Sequence, residues 1–175
     1  KGFEGFNQPD QSGVDDRKFC NPAGSWQSLR RAASVSLEGQ VGLVTGGSRG
    51  IGRAIVMALG QRGAHVIINY RGNQAAATET LGELINRGGR GELSQFDVAK
   101  ENEIEGAIKK IVDQHKQVDI LVNNASLFSN LVKRPFNEIS AAEWQKVMDV
   151  NINGVFFCAS SVTQAMRAQG FGRII

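Results

Sequence analysis

From residue 41 onward, short runs of β-branched and other apolar residues alternate with stretches whose apolar residues recur at helical spacing. The runs that predict strands are 41–45, 64–70, 91–98, 118–125 and the final "GRII". Helical patterns fill the intervals, as in "ENEIEGAIKKIVDQH", where Ile104, Ile108 and Ile111 share one face. Because parallel strands need crossover helices, this order predicts an α/β fold with a doubly wound parallel sheet, incomplete at its C-terminal side. Such sheets bind ligands at the carboxyl ends of their strands.

Residues 1–38 differ in composition from the rest of the chain. They are rich in Gly, Pro, Asn, Asp and Ser without sustained periodicity, which predicts a flexible N-terminal extension before a domain at 39–175. Within them, "SWQSLRRAASVSL" is rich in Ser, Ala and Arg and lacks acids. That composition is typical of an organelle transit peptide. We favour a solvated tail, because transit peptides normally start the chain and this stretch does not. We expect a cytoplasmic protein, with organelle import as the alternative.

The charge, the hydropathy and the small number of Cys and His residues limit the functions that the chain can have. A formal net charge of +3 gives no reason to expect a nucleic-acid partner, and no apolar run reaches membrane-spanning length. Cys20 and Cys158 lie far apart and form no zinc or redox spacing. His65 and His115 have no ligating neighbour at metal-site spacing in the sequence, so we predict surface roles for them and no metal site.

The stretch "TGGSRGIG" joins the first predicted strand to the first predicted helix. Glycines there let the backbone turn sharply and approach a ligand, and the helix directs its amino-terminal amides at the loop, which suits a pyrophosphate. The alternative is a tight turn that only packs helix against strand. The spacing does not fit a P-loop, which needs Lys and a hydroxyl where this chain has Arg53 and Ala54. The candidate cofactor-binding residues of this loop are Thr45, Gly46, Ser48, Arg49, Gly50, Ile51 and Gly52.

Three further motifs accompany the glycine loop. They are "DV" at 97–98, "NNA" at 123–125 and "MDVNINGVFF" at 148–157. Together these motifs closely resemble the short-chain dehydrogenase/reductase family over 37–175, and within it most of all the 3-oxoacyl-acyl-carrier-protein reductases. The resemblance implies a Rossmann-like fold and an oxidoreductase that reduces the carbonyl of a small-molecule substrate. A 3-oxoacyl thioester is the candidate substrate. Ser126 stands where the family usually has Gly, which leaves the substrate branch open.

The resemblance also implies roles for single residues of these motifs. Asp97 and Val98 match the pair that borders the adenine, one through its side chain and one through its backbone. Asn123 matches the residue that ties the central strands, and Ala125 matches a residue that lines the ribose. The further cofactor-binding positions implied are Asn124 and Val150.

The residues after the second strand indicate which cofactor is bound. In dinucleotide folds an acid about 20 residues past the first Gly binds the ribose 2′-OH of NAD. No acid occurs here between Glu38 and Glu79. Arg71, which follows Tyr70 at the nucleotide, and Arg49 would instead meet a 2′-phosphate, which guanidinium groups bind well. The sequence therefore predicts NADP(H), although both arginines also suit an ordinary solvated surface.

The motif at 148–157 and the loop before it carry the remaining candidates. By resemblance, Asn151 is catalytic and holds a water in a proton relay. The alternative is a structural side chain at a helix kink, where it bonds freed backbone groups. The resemblance further implies that the helix around 141–168 joins subunits, so we expect a homo-oligomer. Leu127, Phe128 and Phe136 border the predicted active site and either contact substrate or, as we favour, pack in the core.

The resemblance implies three more catalytic residues, a Ser after the fifth strand and then a Tyr with a Lys four residues later. None stands at a matching position here, because the one Tyr, Tyr70, is followed four residues later by Gln74. We expect a polypeptide of these 175 residues alone not to reduce carbonyls, since it lacks the acid that protonates the carbonyl oxygen. The alternative to an enzyme is a truncated Rossmann module that binds a nucleotide or a partner without chemistry. NADPH oxidation by the purified chain with a 3-oxoacyl thioester tests this, and turnover above background would contradict it.

Overall fold

The structure, a computed structural model, describes residues 36–128, 133 and 135–175. The predicted extension at 1–38, including most of the Ser- and Arg-rich stretch, lies outside these residues except for its last three. Of those, Leu37 donates its amide to the Arg62 carbonyl oxygen (2.8 Å) and Glu38 forms an ion pair with Arg90. The boundary at residue 38 stays a prediction.

Five parallel strands and their connecting helices make up the described domain. The strands are β1 (Val41–Val44), β2 (His65–Tyr70), β3 (Arg90–Gln95), β4 (Ile120–Val122) and β5 (Arg173–Ile174). The helices are α1 (Gly50–Gly60), α2 (Gln74–Asn86), α3 (Glu101–His115), α4 (Ala141–Met148) and α5 (Gly154–Ala168), with a 3₁₀ turn at Phe136–Glu138. The strands form one sheet in the order β3-β2-β1-β4-β5. This confirms the predicted doubly wound parallel sheet.

Helices cover both faces of the sheet, which explains why its strands β1, β2 and β4 are buried and largely apolar. Side chains of α1 and α2 form one core with Val44, Val66 and Ile68, whereas α3 and α5 form the other with Leu43 and Leu121. The predicted stripe of three isoleucines on α3 is buried in that second core. Cys158 of α5 is fully buried there, as predicted, and burial raises the pKa of its thiol to about 11.

β3 and β4 end earlier than the predicted 91–98 and 118–125, because the amide two residues beyond each strand bonds to a side chain and does not extend the ladder. After β4, the amide of Asn124 donates to Thr45 Oγ1 (3.0 Å). After β3, the amide of Asp97 donates to Glu103 Oε2 (2.9 Å). Both departures occur at the carboxyl edge of the sheet, where the sequence predicts the ligand site.

The helix predicted around 141–168 is divided by a π-helical turn. The Ser140–Glu143 capping box begins α4, as predicted, and the π turn spans Asp149–Asn153. There the amide of Gly154 donates to the carbonyl of Asp149, five residues earlier. A Cβ on Gly154 would lie 2.7 Å from the carbonyl oxygen of Val98, so glycine is required where the helix crosses the loop after β3.

The apolar surface of α5 is wider than the single face that the sequence predicts. Val162 and Met166 are buried as expected, together with Cys158. Ile152 and Phe156, predicted on the same face, are instead 54% and 65% exposed. The side chains buried against the sheet therefore follow a stripe rotated from the predicted one, and part of the apolar surface faces outward.

The two histidines meet at the amino-terminal edge of the sheet, which differs from the separate surface roles predicted for them. His65 begins β2 and His115 ends α3, and their ring centroids are 4.7 Å apart. Glu92 of β3 lies beside them, with its Oε1 3.1 Å from His115 Nε2. Sequence spacing did not reveal this contact because it depends on how α3 crosses the sheet.

Within the described ranges, the structure contains no helix whose length and hydropathy would suit a membrane span.

Asp119 joins strands at the amino-terminal edge, and its removal is expected to destabilise the fold. Its buried carboxylate accepts hydrogen bonds from the Val41 amide (2.7 Å) and from the side-chain amides of Gln117 (2.8 Å) and Gln169 (3.2 Å). We expect Asp119→Ala to lower the free energy of unfolding by about 2–3 kcal/mol, because hydrogen bonds to a charged acceptor are lost and buried donors lose their partner. Urea unfolding measures this difference.

The matched control is Asp113→Ala on the exposed side of α3. Asp113 forms an ion pair with Lys109 at the surface, where such pairs contribute little. Its unfolding midpoint is expected to stay close to that of the unsubstituted chain. Equal midpoints for the two variants would contradict the role given to Asp119.

Candidate functional site

A cleft of about 570 Å³ lies at the carboxyl-terminal edge of the sheet, where the sequence predicts the ligand site. Its walls come from the glycine loop and from the residues that follow β2, β3 and β4. The predicted site residues among them are Gly46, Ser48, Arg49, Ile51, Gly52, Tyr70, Arg71, Asp97, Val98, Asn124, Ala125 and Val150. The other predicted residues, which are not part of these walls, are Thr45, Gly50, Asn123 and Asn151.

Two glycines give the loop between β1 and α1 its shape. Gly50 begins α1 with a φ of +55°, and no atom lies within 4 Å of the position that a Cβ would take. A Cβ on Gly52 would lie 2.3 Å from the carbonyl oxygen of Gly46 and 2.6 Å from Asn124 Nδ2. The first turn of α1 contains no acidic residue. Its free amides and positive dipole end therefore face the cleft without a competing negative side chain.

Buried polar contacts join the glycine loop to the residues after β4. The Thr45 hydroxyl donates to the Val122 carbonyl oxygen (3.2 Å) and accepts from the Ala125 amide (3.0 Å). The Asn124 side chain donates to the carbonyl oxygens of Thr45 (2.9 Å) and Gly46 (3.2 Å). Thr45 thus acts beneath the cleft, by fixing its floor.

The side chain that bonds β1 from the loop after β4 is that of Asn124. The role that the resemblance implies for Asn123, tying the central strands, stays a prediction. Asn123 contributes a backbone link, because its amide donates to the carbonyl oxygen of Ile175 (2.7 Å). The side chain of the next residue, Asn124, is the one that bonds to the end of β1.

Two further polar residues hold the glycine loop and were not predicted from the sequence. Asn69, buried in β2, accepts a hydrogen bond from the Gly46 amide (3.0 Å) and donates to the Phe96 carbonyl oxygen (3.0 Å). Thr80, fully buried on α2, donates to the Ser48 carbonyl oxygen (2.9 Å). The available signal was a polar residue inside an otherwise apolar strand, since a buried amide must find partners.

The charged side chains of the cleft are Arg49 in the glycine loop, Arg71 after β2 and Asp97 after β3. Arg71 is 64% exposed, and its guanidinium is 4.0 Å from an Asp97 carboxylate oxygen. The other Asp97 oxygen accepts from the Ala99 amide (3.0 Å). Lys100 and the Asp97 amide both bond to Glu103 and lower the pKa of its carboxyl group, so that it stays ionised and holds the loop after β3.

Asn151 lies in the π turn and bonds to the loop after β4. Its Oδ1 accepts from the Leu127 amide (2.8 Å), and its Nδ2 lies 3.5 Å from the Leu127 carbonyl oxygen. These contacts agree with the structural alternative for Asn151, in which a side chain at a helix kink bonds to backbone groups. Its catalytic assignment stays a prediction.

The aromatic residues of the loop after β4 are more exposed than the favoured prediction of core packing expects. Leu127 packs against the core, but Phe128 is 81% exposed and lines the cleft. Phe136 is 87% exposed. The preference for core packing was therefore wrong for both phenylalanines.

Comparison with known proteins agrees with this fold and cleft. The sequence profile of the short chain dehydrogenase family matches residues 40–175. A 3-oxoacyl-acyl-carrier-protein reductase of Synechocystis sp. is 39% identical over 141 residues, which are 81% of this chain and 56% of that protein. The 3-oxoacyl-acyl-carrier-protein reductase FabG of Staphylococcus epidermidis is 41% identical over 134 residues, 76% of this chain and 53% of that protein.

Solved structures show the same architecture. A metagenomic short-chain oxidoreductase in complex with NADP superposes with a TM-score of 0.75 at 32% identity, over 81% of this chain and 62% of that one. A gluconate 5-dehydrogenase of Burkholderia cenocepacia, in complex with NADP and tartrate, gives a TM-score of 0.72 at 33% identity, over 81% and 54%.

The parallel sheet and the glycine loop at its carboxyl edge define a Rossmann-like α/β protein. With the profile match over 40–175, the chain belongs to the short-chain dehydrogenase family and is similar to its 3-oxoacyl-acyl-carrier-protein reductases. It spans about half the length of the curated relatives it matches.

The close approach at Gly52 predicts opposite effects for two Gly→Ala substitutions. We expect Gly52→Ala to lower the free energy of unfolding by about 1–3 kcal/mol, because its methyl group overlaps the Gly46 carbonyl oxygen. Gly82→Ala, on the exposed side of α2 with open space around it, is expected to raise it by about 0.5–1 kcal/mol. Urea unfolding of the two variants measures the difference, and a gain of stability in both would contradict the account of the loop.

Proposed function

We propose that this chain carries the nucleotide-binding part of an NADP(H)-dependent oxidoreductase that reduces a carbonyl to an alcohol. One observation carries the proposal: a single cleft is lined by the open amino terminus of α1, by Arg49 beside it and by Arg71 after β2, where an NAD-binding acid is absent. The nicotinamide would supply the hydride when bound. The chain's own residues bind and orient the nucleotide.

The amino terminus of α1 is proposed to hold the pyrophosphate. Free amides and the helix dipole favour an anion there, and Ile51 and Gly52 of this first turn line the cleft. Asn69 and Thr80 fix the backbone at Gly46 and Ser48, so the loop need not rearrange to bind. Pre-formed geometry of this kind lowers the ordering cost of binding.

Arg71 and Arg49 are proposed to bind the 2′-phosphate of NADP(H). Guanidinium groups match phosphate oxygens in geometry and charge. The contact of Arg71 with Asp97 is long and exposed, so solvent screens it and the guanidinium remains available. The NADP bound in two similar solved structures supports the same cofactor.

Asn151 is proposed to take part in the reaction as well as in folding. Its Oδ1 is used by the Leu127 amide, whereas its Nδ2 makes only a long contact. An N–H group is therefore left to hold a water, as the family resemblance implies. Through Leu127, the same side chain orients the loop that carries Ser126 and Phe128 at the cleft.

A 3-oxoacyl thioester is the proposed substrate class. The similarity to 3-oxoacyl-acyl-carrier-protein reductases supports it, and the exposed Phe128 offers an apolar contact for an acyl chain. Homo-oligomers are proposed to form through α4 and α5, where Trp144, Ile152 and Phe156 leave apolar surface exposed. The proposed compartment is the cytoplasm.

The cofactor proposal is tested by the binding of NADPH and NADH to the Arg71→Gln variant. We expect the Kd for NADPH to rise about 10- to 100-fold, because a hydrogen bond to a charged group contributes about 1.5–3 kcal/mol. The Kd for NADH is expected to change less than about threefold, since NADH has no 2′-phosphate for this residue to bind. Isothermal titration calorimetry on the full chain measures both constants.

Arg87→Gln is the matched control, since Arg87 follows the far end of α2 and does not line the cleft. It should leave both constants unchanged. If Arg71→Gln weakened the binding of NADH and NADPH equally, or left the binding of both unchanged, the assignment of the 2′-phosphate to Arg71 would be wrong.

A further inference from the structure

A second cluster of functional groups lies at the amino-terminal edge of the sheet, away from the nucleotide cleft. It consists of His65, Glu92 and His115, and the sequence contains no other histidine. One nitrogen from each imidazole and one carboxylate oxygen lie within 4.8 Å of one another. All three residues are half-buried, so the cluster is partly shielded from water yet open to an entering ion.

Three different elements deliver these side chains to one place. His65 is the first residue of β2 and pairs with Arg90 of β3. Glu92 lies two residues after Arg90 on the same strand, so the Glu92 and Arg90 side chains project from the same face of the sheet. The His65 side chain, opposite Arg90, projects from that face too. His115 is the last residue of α3, which packs on the sheet through its buried isoleucines. The sheet register and the helix packing therefore fix the cluster.

We propose that His65, Glu92 and His115 bind a divalent transition-metal ion of the zinc class. Two imidazoles and one carboxylate are a common protein ligand set for zinc, with water in the remaining position. Tetrahedral ligands at about 2.0–2.1 Å from the metal lie about 3.3 Å apart. The candidate ligand atoms of the three side chains lie within 4.8 Å of one another, so we expect side-chain rotations to bring them to that spacing.

An unpartnered atom supports a ligand at this position. His65 Nε2 is buried, and no hydrogen-bond partner reaches it among the residues that the structure describes. A buried polar atom without a partner is costly, and a metal ion would satisfy it.

A hydrogen bond from a neighbouring side chain orients the Glu92 carboxylate towards the histidines. Gln114 Nε2 donates to Glu92 Oε2 (2.9 Å), which leaves Oε1 directed at His115 Nε2, 3.1 Å away. Such outer contacts are typical of metal sites. Arg90 is the nearby positive group, and its guanidinium is held by Glu38 and by the carbonyl oxygen of Gly63.

The competing interpretation is an ion pair between Glu92 and a protonated His115, with His65 stacked beside it and no metal. The two interpretations differ in zinc affinity. Metal binding would join α3 to β2 and β3, and would raise the melting temperature of the chain, because an ion that binds the folded state stabilises it. An ion pair alone gives no zinc-dependent change.

Zinc titration of the full, untagged chain tests the proposal, by calorimetry and by the melting temperature with and without Zn²⁺. We expect one Zn²⁺ per chain and a zinc-dependent rise in melting temperature. In His115→Gln and in Glu92→Gln, the Kd for Zn²⁺ is expected to rise at least about tenfold, and the melting-temperature rise to disappear. Glu92→Gln preserves side-chain size, so it keeps the test valid if a histidine variant folds poorly.

Two control variants complete the test. Asp113→Asn removes an exposed carboxylate of the same helix. Cys20→Ser removes a thiol, a group of the kind that coordinates zinc. Both variants should retain the zinc affinity of the unsubstituted chain. The affinity for NADPH should not depend on Zn²⁺, because the cluster lies at the other edge of the sheet. The proposal would be overturned if Glu92→Gln bound zinc as tightly as the unsubstituted chain. It would also be overturned if Cys20→Ser lost zinc binding, or if the unsubstituted chain bound no zinc.

Discussion

The loop between β1 and α1 keeps its shape because buried polar groups from three neighbouring segments bond to its backbone. Asn69 holds the Gly46 amide, Asn124 holds the Gly46 carbonyl oxygen, and Thr80 holds the Ser48 carbonyl oxygen. None of these backbone groups depends on bulk water. These contacts hold the loop close to the first turn of α1, so that a Cβ on Gly52 would overlap the Gly46 carbonyl oxygen. The cleft is therefore a property of the folded sheet itself.

The two edges of the sheet use different chemistry. At the carboxyl edge, a free helix terminus and exposed arginines leave positive groups available to an anion. At the amino edge, the Asp119 carboxylate bonds β1 to its neighbours, and the two histidines lie against Glu92. The π turn adds a third constraint, since it directs Asn151 at the loop after β4 while Gly154 packs on the loop after β3.

Local patterns were sufficient for the fold and for the glycine loop of the cleft, whereas the predicted cleft residues after β3 and β4 came from family resemblance. Strand and helix periods, the glycine loop and the capping box at Ser140 depend on residues near one another in sequence, and the structure has each of them. The roles of Asn69 and Thr80 depend on side chains meeting across the sheet, which no local pattern encodes. The pairing of His65 with His115 was missed for the same reason. The outward direction of Phe156 was missed because the apolar surface of α5 is wider than one packing face.

The most direct test of the central claim is a crystal structure of the chain with NADP⁺. The account predicts the pyrophosphate at the first turn of α1, the adenine beside Asp97 and Val98, and the 2′-phosphate within hydrogen-bond distance of Arg71 or Arg49. The glycine loop should keep its present backbone conformation. A nucleotide bound away from this cleft, or a 2′-phosphate directed into solvent on the far side from both arginines, would contradict it.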